Sequence, residues 1–262
     1  MKGATVLITG GTGSFGYALA AANERLRIFS RDEEKQRAMA LRFPQHEYVV
    51  GDVRDQAALR RAAIGIDAII HAAALKQIPT GERFPSEVIA TNVSGTQNVI
   101  AVADGRHVVL LSTDKAVEPI NVYGATKMLA EHLVLTAGGA VVRYGNVLGS
   151  RGSIVPIFRA QVLADQPITI TDPAMTRFVL TLAEAVELVL DALGGPGLYL
   201  RHSPAATVAQ FAEAIAPGHP TTIIGLRPGE KVHEKISADY TSEIAPRLST
   251  DELRALIMAV PA

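Results

Sequence analysis

Residues 9–16 read Thr9-Gly10-Gly11-Thr12-Gly13-Ser14-Phe15-Gly16, and this stretch decides the fold. An apolar run at 4–8 precedes it and a helix-like segment at 15–23 follows. Gly11, Gly13 and Gly16 satisfy G-x-G-x-x-G, while Gly10, Gly13 and Gly16 satisfy G-x-x-G-x-x-G. Glycine lets the backbone turn tightly and approach a pyrophosphate, whose charge then sits on the helix N-terminus. Strand and helix stand where that mechanism requires them. Gly10, Thr12, Gly13, Ser14, Phe15 and Gly16 are therefore candidate cofactor-binding residues.

Outward from this loop, short apolar runs at 26–29, 47–50, 68–70, 108–111 and 140–142 alternate with helix-like segments. The helical segments are 32–41, 56–63, 86–103 and 123–137. Regular β–α alternation predicts an α/β fold with a doubly wound parallel (Rossmann) sheet over residues 1–150. After Gly149 the rhythm changes: helices are expected at 153–163, 182–193, 208–215 and 251–258, and short strands at 168–171 and 198–200. Thr207 and Thr250 read as N-caps. Residues 151–176 and 201–262 are expected to form a small C-terminal substrate-binding lobe, with 177–200 returning to the sheet.

The 262 residues carry a net charge of −1, so the basic surplus that marks nucleic-acid binders is missing. Cysteine is absent, which excludes disulfides and thiolate metal sites. No apolar run approaches the ~18 residues of a membrane span. A soluble, cytoplasmic protein is expected.

The end of the second strand bears on the cofactor. It reads Phe29-Ser30-Arg31-Asp32, with Lys35 one turn later. A hydroxyl and a guanidinium suit a 2′-phosphate that an acid would repel, which predicts NADP; Asp32 is read as a helix cap. Asp52 and Val53, at the end of the third strand, are placed near an adenine. Ala72, Ala73 and Ala74, after the fourth, are placed along the cofactor, and Lys76 is within reach of cofactor or substrate.

Ser112-Thr113-Asp114-Lys115 ends the fifth strand, and Tyr123-Gly124-Ala125-Thr126-Lys127 opens the next helix. Tyr123 and Lys127 are four apart and share one helix face. A nearby ammonium favours phenolate, turning a weak base into a useful one. Thr113 is placed to hydrogen-bond the reacting oxygen. Asp114 and Lys115 add an acid and a base that a simple alcohol dehydrogenase does not need.

On these motifs, and on 142–152, 171–178 and 227–234, the chain resembles the extended short-chain dehydrogenase/reductases. More narrowly it is similar to the inverting UDP-N-acetylglucosamine 4,6-dehydratases. The resemblance implies that Tyr123 and bound NADP oxidise the sugar at C4. Lys115 would then remove the C5 proton and Asp114 would protonate the departing C6 hydroxyl. Hydride return to C6 and protonation of C5 from the opposite face would complete the inversion. In that family the segment 144–147 lines the sugar and diphosphate, with Asn146 as a donor. Self-association into a homo-oligomer is also implied.

Arg177 and Arg227 are candidate pyrophosphate clamps, because guanidinium suits bidentate phosphate binding. Glu230 is a candidate acceptor for ribose hydroxyls. Glu230-x-x-His233 stands alone, so no metal is expected. Two other readings compete: a UDP-sugar 4-epimerase or related dehydratase, and a non-catalytic NADP(H)-binding sensor. The presence of Thr113, Tyr123 and Lys127 argues against the sensor. Against the resembling family, the segments at 15–25, around Gly105 and at Gly138-Gly139 are short, which predicts a minimal version of the fold.

Overall fold

A computed structural model describes residues 3–23 and 25–260; the outermost positions of the expected 1–150 and 201–262 segments lie outside the described residues. Six strands precede residue 144: β1 (Val6–Thr9), β2 (Leu26–Ser30), β3 (Glu47–Val50), β4 (Ala68–His71), β5 (His107–Leu111) and β6 (Ala140–Arg143). They follow the expected runs within a residue or two. With β10 (Gly197–Leu200) they form one seven-stranded sheet, in the order β10-β6-β5-β4-β1-β2-β3. Every pairing in it is parallel. The fold is a Rossmann-like α/β fold, with β1 and β4 flanking the point where the strand order reverses.

The strand sequences explain the arrangement. All four residues of β1 are buried, as a strand covered on both faces requires. One apolar cluster fills each face, around Leu59, Val99 and Val134 on one side and Leu19, Met39 and Val189 on the other. The helices between strands are α1 (Ser14–Ala22), α2 (Glu33–Arg42), α3 (Gln56–Ala62), α4 (Ile78–Arg83), α5 (Pro85–Ile89), α6 (Gly95–Ala103) and α7 (Val122–Thr136). Helix α4 is unforeseen, because Pro79 and Gly81 obscure its pattern. The single helix expected at 86–103 is α5 and α6 joined by a π turn over Ala90–Ser94.

Beyond β6 the chain builds a cap. Strands β7 (Asn146–Val147), β9 (Thr176–Leu180) and β11 (Ala205–Thr207) form one small sheet, and β8 (Ile168–Ile170) pairs with β12 (Thr221–Ile223). Helices α8 (Ile154–Leu163), α10 (Val208–Ile215) and α11 (Thr250–Met258) close over a core of Phe158, Phe211, Leu253 and Ile257. The large sheet is rejoined by α9 (Leu182–Ala192) and β10, whereas β9 pairs in the cap. The chain thus crosses between sheet and cap three times: after β6, before α9 and after β10. Thr207 caps α10, as expected, but α11 is capped by Ser249 rather than Thr250. Glu252 closes the Ser249 capping box, which a reading of Thr250 overlooks. No described helix is long and apolar enough to cross a membrane.

Candidate active site

Two adjoining cavities open along the carboxyl edge of the large sheet. The larger, about 440 Å³, runs from the glycine loop to Thr113, Tyr123 and Asn146. The smaller, about 210 Å³, lies over the ends of β2 and β3.

At the glycine loop, Gly13 caps α1 without a side-chain hydrogen bond, and Gly13, Ser14 and Phe15 line the larger cavity. Unpaired N–H groups at a helix start suit an anion. Gly16 lies beneath them: a Cβ there would sit 1.9 Å from the Gly11 carbonyl oxygen. Only glycine lets α1 pack this closely on its own loop. These residues fit a dinucleotide pyrophosphate.

Thr12, Ser30, Arg31, Lys35, Asp52, Val53 and Ala73 line the smaller cavity, while Ala72 lines the larger one and Ala74 lines both. Asp32 is taken up by its helix, accepting from the Lys35 N–H at 2.9 Å and pairing with the Lys35 ammonium. Ser30 Oγ accepts from Gln36 Nε2 at 3.1 Å. Arg31 is half exposed and 3.7 Å from Asp52, whose other oxygen contacts belong to Arg54. Each carboxylate here has a basic partner. Arg31, held only loosely by Asp52, stands with the Ser30 hydroxyl at the end of β2, donors that fit a 2′-phosphate.

Pairing between β5 and β6 continues past the strand ends: Ser112 N–H donates to Val142 O at 2.7 Å and Asp114 N–H to Tyr144 O at 3.1 Å. This fixes Thr113 and Asp114 rigidly. A 3₁₀ turn over Asp114–Ala116 follows, capped by Thr113. Helix α7 starts against that turn, where a Cβ on Gly124 would lie 2.2 Å from the Lys115 carbonyl oxygen. Tyr123 is thereby set beside Lys115.

Asp114 is fully buried, and its Oδ1 accepts from Thr113 Oγ1 at 3.0 Å and from Lys115 Nζ at 3.0 Å. Lys115 Nζ also lies 3.1 Å from Oε1 of Glu234, itself buried. Asp114 Oδ2 and Glu234 Oε2 have no hydrogen-bond partner among the described residues. Two carboxylates around one ammonium cannot both ionise freely. Burial pushes Asp114 up, and the Glu234 charge adds to this against the pull of Lys115. Burial also acts on Glu234, but Lys115 and then Arg177 hold it below the usual range. Lys115 is desolvated too, yet its two carboxylates keep it firmly charged. Within the cluster the positive charge belongs to Lys115, while the two carboxylates differ in their pull on a proton, upward at Asp114 and downward at Glu234.

Tyr123 corrects one expectation. Burial raises it to about 12, and the cation that acts on it most is Lys115, followed by the Thr113 hydroxyl. Lys127, one turn below, is itself depressed by burial to about 8, with Glu131 opposing. Desolvation outweighs the helix-face pairing that the sequence suggested.

Lys76 and Asn146 line the larger cavity with Thr113, Asp114, Lys115, Tyr123 and Lys127. The arginine clamps do not. Arg177 is buried and donates to the carbonyl oxygens of Thr176 at 2.8 Å and Val232 at 3.1 Å, so its guanidinium braces the cap. Arg227 is half exposed and pairs loosely, at 3.9 Å, with Glu230; neither lines these two cavities.

Three residues escaped the sequence reading. Glu234 meets Lys115 from far along the chain. Arg151 lines the larger cavity between Gly149 and Gly152, both at positive φ, a pattern that could have signalled a loop built for close approach. Asn92, in the π turn, holds Leu75 through its N–H at 2.8 Å and its carbonyl at 2.9 Å, beside Lys76.

Residues 6–250 match the family described as polysaccharide biosynthesis protein. The chain belongs to that family. It is an enzyme of the extended short-chain dehydrogenase/reductase kind that acts on nucleotide sugars, as the glycine loop and the strand-end cluster anticipate. Among members with curated names, it is 42% identical to a UDP-glucose 4-epimerase of Rickettsia felis, over 88% of this chain and 77% of that one. Among solved structures, Pen from Bacillus thuringiensis superposes with a TM-score of 0.91 at 32% identity, over 97% of this chain and 98% of Pen. The dTDP-glucose 4,6-dehydratase DesIV from Streptomyces venezuelae shares the fold, with a TM-score of 0.80 at 21% identity over 97% and 96% of the two chains.

Proposed function

We propose that this family member is a UDP-N-acetylglucosamine 4,6-dehydratase that inverts C5 and uses tightly held NADP. One observation carries the reading: the buried Asp114–Lys115 pair, 3.0 Å apart, opens into the cavity that Tyr123 lines. Loss of water from a sugar needs an acid and a base beyond the redox tyrosine, and this pair supplies both.

Ser30, Arg31 and Lys35 would hold the 2′-phosphate, and the glycine loop the pyrophosphate. Bound NADP supplies the hydride acceptor at C4 and the hydride donor at C6. Tyr123 takes the proton from the sugar O4, with Thr113 hydrogen-bonding that oxygen. Burial leaves the phenol raised, to about 12, while Lys115 and the Thr113 hydroxyl pull it toward the ionised form a base needs. The C4 ketone acidifies the C5 hydrogen, which Lys115 takes as the neutral amine after passing its own proton to Asp114 across their 3.0 Å contact. Asp114, carrying the proton received from Lys115, delivers it to the C6 hydroxyl, which leaves as water. Their 3.0 Å contact lets a proton lost by one be replaced through the other. Lys76 and Asn146 face the same cavity and orient the sugar.

The names of the 42% identical relatives favour a second reading, a UDP-sugar 4-epimerase, in which Tyr123 and the cofactor perform only the C4 step. Incubation with UDP-N-acetylglucosamine in D₂O, without added cofactor, separates the two. A 4-keto-6-deoxy product that has lost water and carries deuterium at C5, in the L-arabino configuration, supports the dehydratase. UDP-N-acetylgalactosamine with no loss of water overturns it.

A further inference from the structure

Glu234 lies in a strap, residues 227–236, that crosses from the cap onto the catalytic edge. Lys231 Nζ donates to Val117 O at 2.6 Å and Asn121 Nδ2 to Gly229 O at 2.8 Å. Lys235 pairs with Glu118 at 2.7 Å, and Arg143 donates to Ile236 O at 2.9 Å. The strap is thus stitched to the turn that carries Asp114 and Lys115. Behind it, Ser242 Oγ accepts from the Glu234 N–H at 2.9 Å. All this delivers one carboxylate, 2% exposed, to within 3.1 Å of Lys115 Nζ, with its second oxygen unpartnered.

We infer that Glu234 is a positioning residue for the elimination step: from 3.1 Å it holds the Lys115 ammonium between two buried carboxylates, so that Asp114 is the one that takes up the proton Lys115 sheds. The inference rests on the dehydratase reading. Lys115, then Arg177 and Lys231, stabilise its negative charge, and Lys231 is held there by its bond to Val117 O. Among the described residues, Asp114 has only Lys115 as a cationic partner within 4 Å. Without the Glu234 charge, Lys115 pairs with Asp114 alone, the push of Asp114 toward its protonated form is weakened, and proton delivery to the C6 hydroxyl is impaired. Tyr123 and Thr113 are untouched, so C4 oxidation survives.

The test is Glu234→Gln, which keeps shape and removes charge, beside Glu234→Asp as the conservative rescue. With UDP-N-acetylglucosamine, Glu234→Gln should lose roughly tenfold or more of kcat for water loss. KM should stay within about twofold, and the near-ultraviolet absorbance of reduced nicotinamide should accumulate. Glu234→Asp should recover part of the rate. Water loss at the wild-type rate overturns the inference. So does an equal fall in oxidation and elimination, which marks a merely structural role. If Glu234→Gln lacks the native circular dichroism spectrum, melting temperatures in a Lys115→Met background decide. Adding Glu234→Gln there should raise stability by removing an uncompensated buried charge; an unchanged or lower value overturns the coupling. Wild-type protein that epimerises without losing water overturns the dehydratase reading itself, whereas the melting cycle reports on the Glu234–Lys115 contact alone.

Discussion

The guanidinium of Arg151 donates to the carbonyl oxygen of Thr12 at 2.6 Å, joining the loop after β7 to the glycine loop after β1. The Arg151 backbone N–H adds a second bond to Ser14 Oγ at 3.1 Å. Removing the side chain by Arg151→Ala should loosen the loop and weaken cofactor retention roughly tenfold, the value of one charge-assisted hydrogen bond. Cofactor content after gel filtration measures this. Unchanged content would assign Arg151 to the surface.

Cofactor choice should follow Arg31. Arg31→Ala should lower the preference for NADP over NAD about tenfold, because one of the basic groups at the end of β2 is lost. Binding of each dinucleotide to the stripped protein, followed by calorimetry, gives the ratio directly.

Tyr123→Phe should lower turnover roughly 10²–10⁴-fold while the cofactor stays bound. Rapid mixing with substrate should show no reduced nicotinamide. This separates it from Glu234→Gln, where reduced nicotinamide accumulates.

A second buried ion pair serves stability. Glu131, on α7, accepts from Ser112 Oγ at 2.5 Å and pairs with Arg143 of β6 at 2.5 Å. Glu131→Gln leaves the guanidinium without its charge partner and should cost about 3 kcal/mol. Chemical denaturation measures it, and adding Arg143→Met should return much of the loss.

His71 sets an acid limit. Its Nδ1 lies 2.7 Å from Thr9 Oγ1 and its Nε2 3.0 Å from Thr96 Oγ1, whose own proton goes to Asn92 O. Nε2 therefore donates, Nδ1 accepts, and a second proton has no place. Burial, then the charge of Lys127, depresses it from 6.5 to about 3. Between those values the unfolded chain binds the proton that the folded one refuses, so stability present above pH 6.5 is lost as pH falls. From pH 7 to 5 the wild type should lose about 2 kcal/mol more than His71→Gln. Parallel losses would remove His71 from the account.

Local patterns carried most of what the sequence revealed. The glycine loop, the Thr113–Lys115 strand end and the Tyr123/Lys127 helix face each lie within a few residues, and their strands are fully apolar runs. What stayed hidden depends on contacts distant in sequence. Glu234 gains meaning only when the strap lands on Lys115, and the π turn only when Asn92 meets Leu75. Arg177 and Arg227 misled for the same reason, since an arginine in isolation does not reveal whether it faces a ligand or its own backbone.

The three crossings between sheet and cap have a mechanical consequence. A lid hung on a single linker swings freely, but a body anchored by three separate chain segments has no common hinge about which to turn. Admission of a nucleotide sugar and escape of its product then depend on local movement at the rim. Gly149 and Gly152 bracket the one rim segment that also grips the glycine loop, which couples access to the cleft with hold on the cofactor.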